Sequence, residues 1–279
     1  GTIVALSMCR EMGPFITAII LAGRSGAASV RVPVAVFDGS RVVSGLRVED
    51  FEIKDNGVKQ TIDIADFSTL PISRRLVFDI SGSISEEDME RYLKAMRQVA
   101  QSLEPRDVCE IITFDTRVAD AAARQSPPIN INIRRGGLDG TAFFDAVTLA
   151  MLTTPTSERR QIAIILSDAI DTTSFFDETT LIDAARRTDA VVYTILPGDP
   201  TRSRWVSETR LQALALLTGG HLVKTHEDHV GNLGISTLQE FRQAYIVQYN
   251  VAGVEAGGWH RPDVQIPGGV TITARPGYL

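Results

Sequence analysis

The chain has 279 residues, of which 44% are hydrophobic and 22% are charged, and it carries a net charge of −6. This composition is typical of a globular protein with one large domain, or with one medium and one small domain. The acidic charge and the absence of any Lys/Arg cluster longer than a pair argue against a nucleic-acid-binding surface. No apolar run reaches the ~18 residues of a membrane-spanning helix, so we expect no integral membrane span.

The first 28 residues are predicted to be a candidate signal or leader segment. Arg10 precedes the apolar stretch 14–22, and small residues follow up to Ala28. This order resembles a secretory signal with a cleavage zone, which predicts export to the periplasm, the cell surface or the medium. The alternative is a short first helix, and residues 1–28 are therefore left out of the fold prediction.

Residues 29–70 have the pattern of antiparallel strands. Segments 30–37, 50–55 and 61–67 alternate between apolar and polar residues, and the second ends at the turn signal Asn56-Gly57. Period-two runs that are bounded by Asn-Gly or Asp-Gly indicate hairpins with one solvated face.

Between residues 71 and 243, short apolar runs alternate with helical patterns. Strands buried on both faces, with helices between them, predict an α/β fold with a doubly wound, mostly parallel, Rossmann-like sheet. The first helix has a clear start, with Ser85 as its N-cap. The predicted strands are 76–78, 108–114, 162–166, 190–196 and 221–224, and the predicted helices are 86–103, 142–152, 178–188, 207–218 and 231–243.

The strand pattern returns after residue 244, at 245–251 and 270–274. A few strands from one end alone would bury little surface. We therefore predict a small, discontinuous β-sandwich made of 29–70 plus 244–279, with the α/β domain 71–243 inserted in it. The alternative is that the two β segments form separate hairpins.

Five oxygen-bearing residues form a candidate metal site. They follow predicted strands or lie in a Gly-containing loop, and they are Asp79, Ser81, Ser83, Thr141 and Asp168. The carboxyl ends of strands in an open α/β sheet meet at one edge, so these side chains are able to converge there. Carboxylate and hydroxyl oxygens without nitrogen or sulfur suit a hard divalent ion, Mg²⁺ or else Mn²⁺ or Ca²⁺.

The charge of this ligand set indicates what else would bind. Two carboxylates, one of which can act through water, leave a divalent ion undercompensated and open to a further anionic oxygen. An Asp or Glu carboxylate from a protein partner fits that position. The alternative for the first three residues is that they only cap the helix that begins near Ser85.

The motifs Asp-x-Ser-x-Ser, Gly140-Thr141 and the strand-ending Asp168 resemble the metal-ion-dependent adhesion site of von Willebrand factor type A (VWA) domains. The flanking segments 45–60 and 274–278 are similar to a bacterial VWA-related subfamily that is common in acidobacteria. The resemblance covers residues 30–279 and implies the VWA fold. It departs at Ala169-Ile170, where many relatives carry Gly-Glu or a similar polar pair, and this bears on the choice of partner.

The resemblance also implies roles for the five residues. Ser81, Ser83 and Thr141 would bind the metal through their hydroxyls, Thr141 depending on the conformational state. Asp79 and Asp168 would act directly or through bound water. A partner Asp or Glu would complete the octahedron.

Two functions from different classes follow. The first is a non-catalytic, metal-dependent adhesion or interaction module that binds a protein partner. The second is a phosphoryl hydrolase with Asp79 as nucleophile. That chemistry favours a carboxylate at position 81, which is Ser, and a lysine beside the motif loops, where the sequence has none. The sequence therefore favours the binding module.

Overall fold

The computed structural model describes residues 29–39, 41–66, 70–82, 84–129, 131, 133, 140–152, 159–198, 205–255 and 257–279. The strands in these ranges are β1 (Ser29–Asp38), β2 (Arg41–Val42), β3 (Glu52–Asp55), β4 (Val58–Lys59), β5 (Ile62–Asp66), β6 (Ile72–Asp79), β7 (Val108–Phe114), β8 (Val118–Gln125), β9 (Arg160–Leu166), β10 (Val191–Pro197), β11 (Leu222–Thr225), β12 (Tyr245–Asn250), β13 (Pro262–Gln265) and β14 (Thr271–Ala274). The α-helices are α1 (Glu86–Gln101), α2 (Phe143–Met151), α3 (Glu178–Arg187), α4 (Trp205–Thr218) and α5 (Val230–Gln243).

A six-stranded sheet forms the centre of the α/β part, in the order β11-β10-β9-β6-β7-β8. The pairs from β11 to β7 are parallel, and β8 is antiparallel to β7 at the edge. Every residue of β9 and of β10 is buried, as a strand covered on both faces requires. The predicted doubly wound, mostly parallel sheet is confirmed.

Helices cover both faces of this sheet and form two separate cores. On one face, α1 and α5 pack over alternate strand residues such as Leu76. On the other face, α2, α3 and α4 pack over the residues in between, such as Val77. Because successive side chains of a strand point to opposite faces, each buried strand contributes to both cores.

Strands from both ends of the described chain share one antiparallel sheet, in the order β14-β1-β12-β5 with β2 paired to β1. In the pairing of β1 with β12, Val32 lies opposite Val247. A three-stranded sheet, β13-β3-β4, contributes Ile53 to the same core. The two ends therefore form a β-sandwich together, and not separate hairpins. The domain boundaries at 70/71 and 243/244 remain a prediction.

A buried arginine joins the last strand to the α/β part. Arg275 is 4% exposed, and its guanidinium donates to the carbonyl oxygens of Thr188, Arg186 and Gly277 at 2.8–2.9 Å. Two of these carbonyls lie at the carboxyl end of α3, where a cation is favoured by the helix dipole. This contact fixes the C-terminal segment against the α/β part.

The sequence patterns did not predict β2, β4, β8 or β13. Strands β2 and β4 have two residues each, and β13 begins with a proline. The sequence of β8 is VADAAARQ, which is rich in alanine and has Val118 as its single β-branched residue. Across the described ranges, no helix is long and apolar enough to cross a membrane.

Candidate metal centre

The candidate site lies where the strand order of the central sheet changes direction. From β6 the chain crosses to β7 on one side, and later it returns to place β9 on the other side of β6. The carboxyl ends of two such strands form a crevice, which is where ligands of open α/β sheets bind. Asp79 is the last residue of β6, and Asp168 follows β9 by two residues.

Asp79 is buried, with 5% of its surface exposed. Its Oδ1 accepts a hydrogen bond from the backbone N–H of Ser81 at 2.9 Å, and its Oδ2 accepts one from Ser167 Oγ at 3.3 Å. Burial raises the pKa of the Asp79 carboxyl; the bonds from Ser81 and Ser167 oppose this shift, and the negative charge of Asp168 adds to it. A cation beside these two carboxylates would relieve their repulsion.

Ser81 is fully buried in the loop after β6. Its backbone N–H points to Asp79, and its carbonyl oxygen accepts from the N–H of Ile84 at 3.2 Å. These bonds hold the loop close to the end of the strand before α1 begins behind its N-cap, Ser85. Ser83 lies outside the described residues.

Thr141 is held at the same edge by hydrogen bonds on both sides. Its N–H donates to Thr172 Oγ1 at 2.9 Å, and its carbonyl oxygen accepts from the N–H of Thr172 at 2.9 Å. The next residue, Ala142, donates its N–H to the carbonyl of Asp115 at 2.6 Å, directly after β7. Because Phe114 at the end of β7 is paired with Asp79, Thr141 lies at the same end of the sheet as Asp79.

Asp168 is half-buried, and its Oδ1 accepts from the N–H of Ile170 at 3.2 Å. Between them, Ala169 is fully buried and has a φ of 59°, in the left-handed region that favours glycine. The Arg210 guanidinium donates to the carbonyl of Ala169 and also to Glu178 Oε1. This bracing holds the loop in its strained conformation.

The donors that meet here are carboxylate and hydroxyl oxygens, which fit a hard divalent ion. Asp79, Asp168 and Ser167 line a common cavity with Ser85, Asp88 and Tyr92 of the α1 side. Within the described part of the chain, no three His, Cys, Asp or Glu side chains group as a metal site. An ion at this edge would therefore depend on hydroxyl ligands as well as on the two acids.

The sequence analysis missed how firmly the loop after β9 is tied to α2. Asp171 Oδ1 accepts from the N–H of Phe144 at 3.1 Å, and Asp145 accepts from the N–H groups of Phe175 and Phe176 at 3.0 and 2.8 Å. The sequence does show an acidic residue in the first turn of the helix and another in the loop. Neither residue indicates by itself which backbone N–H group its carboxylate binds. These two acids brace the loop and are not predicted metal ligands.

Comparison with solved structures identifies the fold. A von Willebrand factor type A protein from Catenulispora acidiphila aligns with a TM-score of 0.52 and 12% identity, over 88% of this chain and 75% of that chain. Such a likeness at low identity shows the fold, and the chain has the VWA fold. The match over 88% of the chain extends beyond residues 71–243, so it includes part of the flanking β-structure.

Two further structures are similar at lower scores. The ArnB paralog VWA2 from Sulfolobus acidocaldarius has a TM-score of 0.47 and 12% identity, over 88% of this chain and 73% of that chain. The second is proximal thread matrix protein 1 from the mussel byssus, solved with zinc in its metal-ion-dependent adhesion site (MIDAS) motif. It has a TM-score of 0.47 and 12% identity, over 63% of this chain. The match spans 49% of that mussel chain.

Sequence comparison with family models finds a match at the start of the chain. Residues 1–30 match the family described as Permease MlaE, and all but the last two of them lie outside the described residues. No curated protein sequence matches the chain. The prediction of a leader segment at 1–28 therefore stays a prediction.

Proposed function

We propose that this chain, whose fold is that of VWA domains, is a non-catalytic interaction module that binds a protein partner through a divalent metal. The observation that carries the proposal is the meeting of Asp79, Ser81 and Asp168 at the crevice between β6 and β9. The ion would be Mg²⁺, or Mn²⁺ or Ca²⁺, and the partner would supply an Asp or Glu carboxylate.

The chain's own residues account for the affinity for an acidic partner. Asp79 and Asp168 would offset the charge of the ion, and the hydroxyls of Ser81, Ser83 and Thr141 would add neutral oxygen ligands. Because one of the two carboxylates can act through water and the hydroxyls are neutral, the ion keeps residual positive charge, so an anionic oxygen from outside is favoured over water. The bound metal supplies the electrostatic attraction, while the loops fix the direction from which a partner approaches.

The surroundings of Asp79 favour binding over phosphoryl transfer. One oxygen of its carboxylate accepts a hydrogen bond from Ser81 and the other accepts one from Ser167, and these bonds hold the carboxylate in one orientation. A phosphoryl group would need a cationic side chain, in addition to the metal, to balance its charge. Lys54 and Lys59 pair with Glu52, away from the central sheet, and a lysine beside the motif loops is missing from the sequence.

Titration calorimetry with Mg²⁺ and Mn²⁺ tests the metal site. We expect wild type to bind one ion and Ser81→Ala to lose measurable affinity, because a buried hydroxyl ligand is removed. Asp88→Asn is the matched control, since Asp88 lines the same cavity but bonds to Ser85 and Arg91. Equal affinity of Ser81→Ala and wild type would contradict the proposed ligand set.

An activity measurement separates the two functions. Generic phosphate esters incubated with the chain and Mg²⁺ are expected to turn over no faster than in a blank with metal alone. Turnover above this blank that is lost in Asp79→Asn would support the hydrolase in place of the binding module.

A further inference from the structure

We propose that the partner carries an apolar side chain next to its metal-binding acid, and that this side chain packs on Ile170 and Phe175. These two residues are called the apolar rim below. The inference rests on the proposed function, because the rim would contact the partner only when the partner's carboxylate is bound at the metal beside it.

The apolar rim is unusually exposed. Phe175 is 65% exposed and Ile170 is 51% exposed, the two highest values among the large hydrophobic residues found exposed in the described chain. Single exposed apolar residues are common on protein surfaces and need no explanation. These two differ from scattered apolar residues because both lie in the loop that follows Asp168, a predicted metal ligand.

Ile170 is hydrogen-bonded to a predicted metal ligand. Its backbone N–H donates to Asp168 Oδ1 at 3.2 Å, which places the backbone of Ile170 beside the carboxylate that would hold the ion. A partner carboxylate that reaches an ion held by Asp168 therefore arrives beside Ile170. On an extended partner segment, residues one or two positions from the acid lie about 3–7 Å along the chain, within reach of the rim.

The loop that carries the rim is already ordered in the unbound chain. Phe175 and Phe176 donate their N–H groups to Asp145, and Asp145 donates its own N–H to Ser174 Oγ at 3.1 Å. Thr172 forms hydrogen bonds with both the backbone N–H and the carbonyl oxygen of Thr141.

These bonds connect the rim to two predicted ligands, Asp168 at one end of the loop and Thr141 beside its middle. Binding to such a surface orders little additional backbone, and this lowers the entropic cost of association. The rim is therefore a preorganised apolar contact, and its position selects a partner with an apolar residue close to the acid.

Selection from displayed peptides tests this inference without a known partner. The full chain is immobilised in Mg²⁺ and incubated with short random peptides that contain a fixed central Glu, and bound peptides are eluted with EDTA. A parallel library with a central Gln shows whether the carboxylate is needed. The variants are Ile170→Ser and Phe175→Ser, and Leu216→Ser is the control.

Leu216 is a suitable control because it is 45% exposed and lies in the last turn of α4, at the end of that helix remote from the candidate site. All three substitutions replace an exposed apolar side chain, so each variant is expected to fold, and circular dichroism checks this. We expect apolar residues to be enriched one or two positions from the Glu for wild type and Leu216→Ser. For the two rim variants, we expect the enrichment to disappear and the best wild-type peptide to bind about tenfold more weakly.

The possible outcomes separate the two proposals. Glu peptides that elute with EDTA but show no apolar preference, or that bind the rim variants as tightly as wild type, would overturn the apolar rim and leave the metal-dependent module standing. Absence of any enrichment that depends on both Mg²⁺ and Glu would overturn both proposals.

Discussion

Replacing Asp79 by Asn should change stability in opposite directions without and with metal. Asp79 is 5% exposed, and burial and the charge of Asp168 raise the pKa of its carboxyl. The charged form is thus less favourable in the folded than in the unfolded chain, by about 1.4 kcal/mol for each pKa unit. Asn keeps an oxygen for the Ser81 N–H and carries no charge. In EDTA, Asp79→Asn should therefore be more stable than wild type.

With metal, the order should reverse. Mg²⁺ at about a hundred times its dissociation constant stabilises a single-site protein by ~2.7 kcal/mol. For a chain of this size, each kcal/mol raises the melting temperature by about 2–4 °C. Wild type should therefore gain about 5–10 °C on addition of Mg²⁺, while Asp79→Asn should gain nothing.

Differential scanning fluorimetry in EDTA and in Mg²⁺ measures both effects in one experiment. Asp88→Asn serves as the control that keeps its response to Mg²⁺, because Asp88 lines the cavity without being a predicted ligand. A metal-dependent shift in Asp79→Asn that equals the wild-type shift would refute the reasoning about the site. A loss of stability of this variant in EDTA would refute the reasoning about the buried charge.

Three further predictions concern stability. Arg275→Met removes three hydrogen bonds to backbone carbonyls, two of them buried, and should cost about 3–5 kcal/mol in urea unfolding, whereas the exposed Arg261→Met should stay within about 0.5 kcal/mol. Ala169→Val should cost about 1–3 kcal/mol by the same measurement, because a β-branched residue is placed at a φ of 59° in a buried position; an equal stability of this variant and Ile170→Val would contradict it. Burial raises the pKa of Glu240, so ionisation of this carboxyl is less favourable in the folded chain than in the unfolded chain. The ionisation has no effect on the free energy of unfolding below the pKa of the unfolded chain. The free energy of unfolding then falls as the pH rises through the folded-state pKa. Glu240→Gln should flatten that part of the stability–pH curve, and an unchanged slope in the weakly acidic range would show that another group causes it.

The local patterns of the sequence were sufficient for the individual elements. The five α-helices of the described residues begin and end within two residues of the predicted ranges. For most of them amphipathic periodicity gave the signal, because it reports which face of a segment is buried. The edge strand β8 was not predicted, because an alanine-rich segment becomes a strand only through its pairing with β7. The polar residues that follow β6 and β9 were sufficient to nominate the site, since strand ends of a parallel sheet share an edge.

Other features of the site depend on contacts between distant segments and have no local signal. The left-handed conformation of Ala169 is held by Arg210 from α4, and the loop that exposes Phe175 is held by Asp145 from α2. A hydrogen bond between residues thirty or more positions apart changes neither the periodicity nor the composition of either segment. These features could therefore be seen only in the folded chain.

The sequence by itself determined that this protein is an acidic α/β chain flanked by β-strands, with oxygen ligands at strand ends. Only the tertiary structure decided that β9 lies beside β6, where burial raises the pKa of Asp79 and the nearby charge of Asp168 adds to that shift. It also decided that β1 pairs with β12, although the strands of the central sheet lie between them in the chain. The physical reason is that a side-chain pattern records whether a segment is buried, whereas its neighbour is chosen by the packing of all segments together.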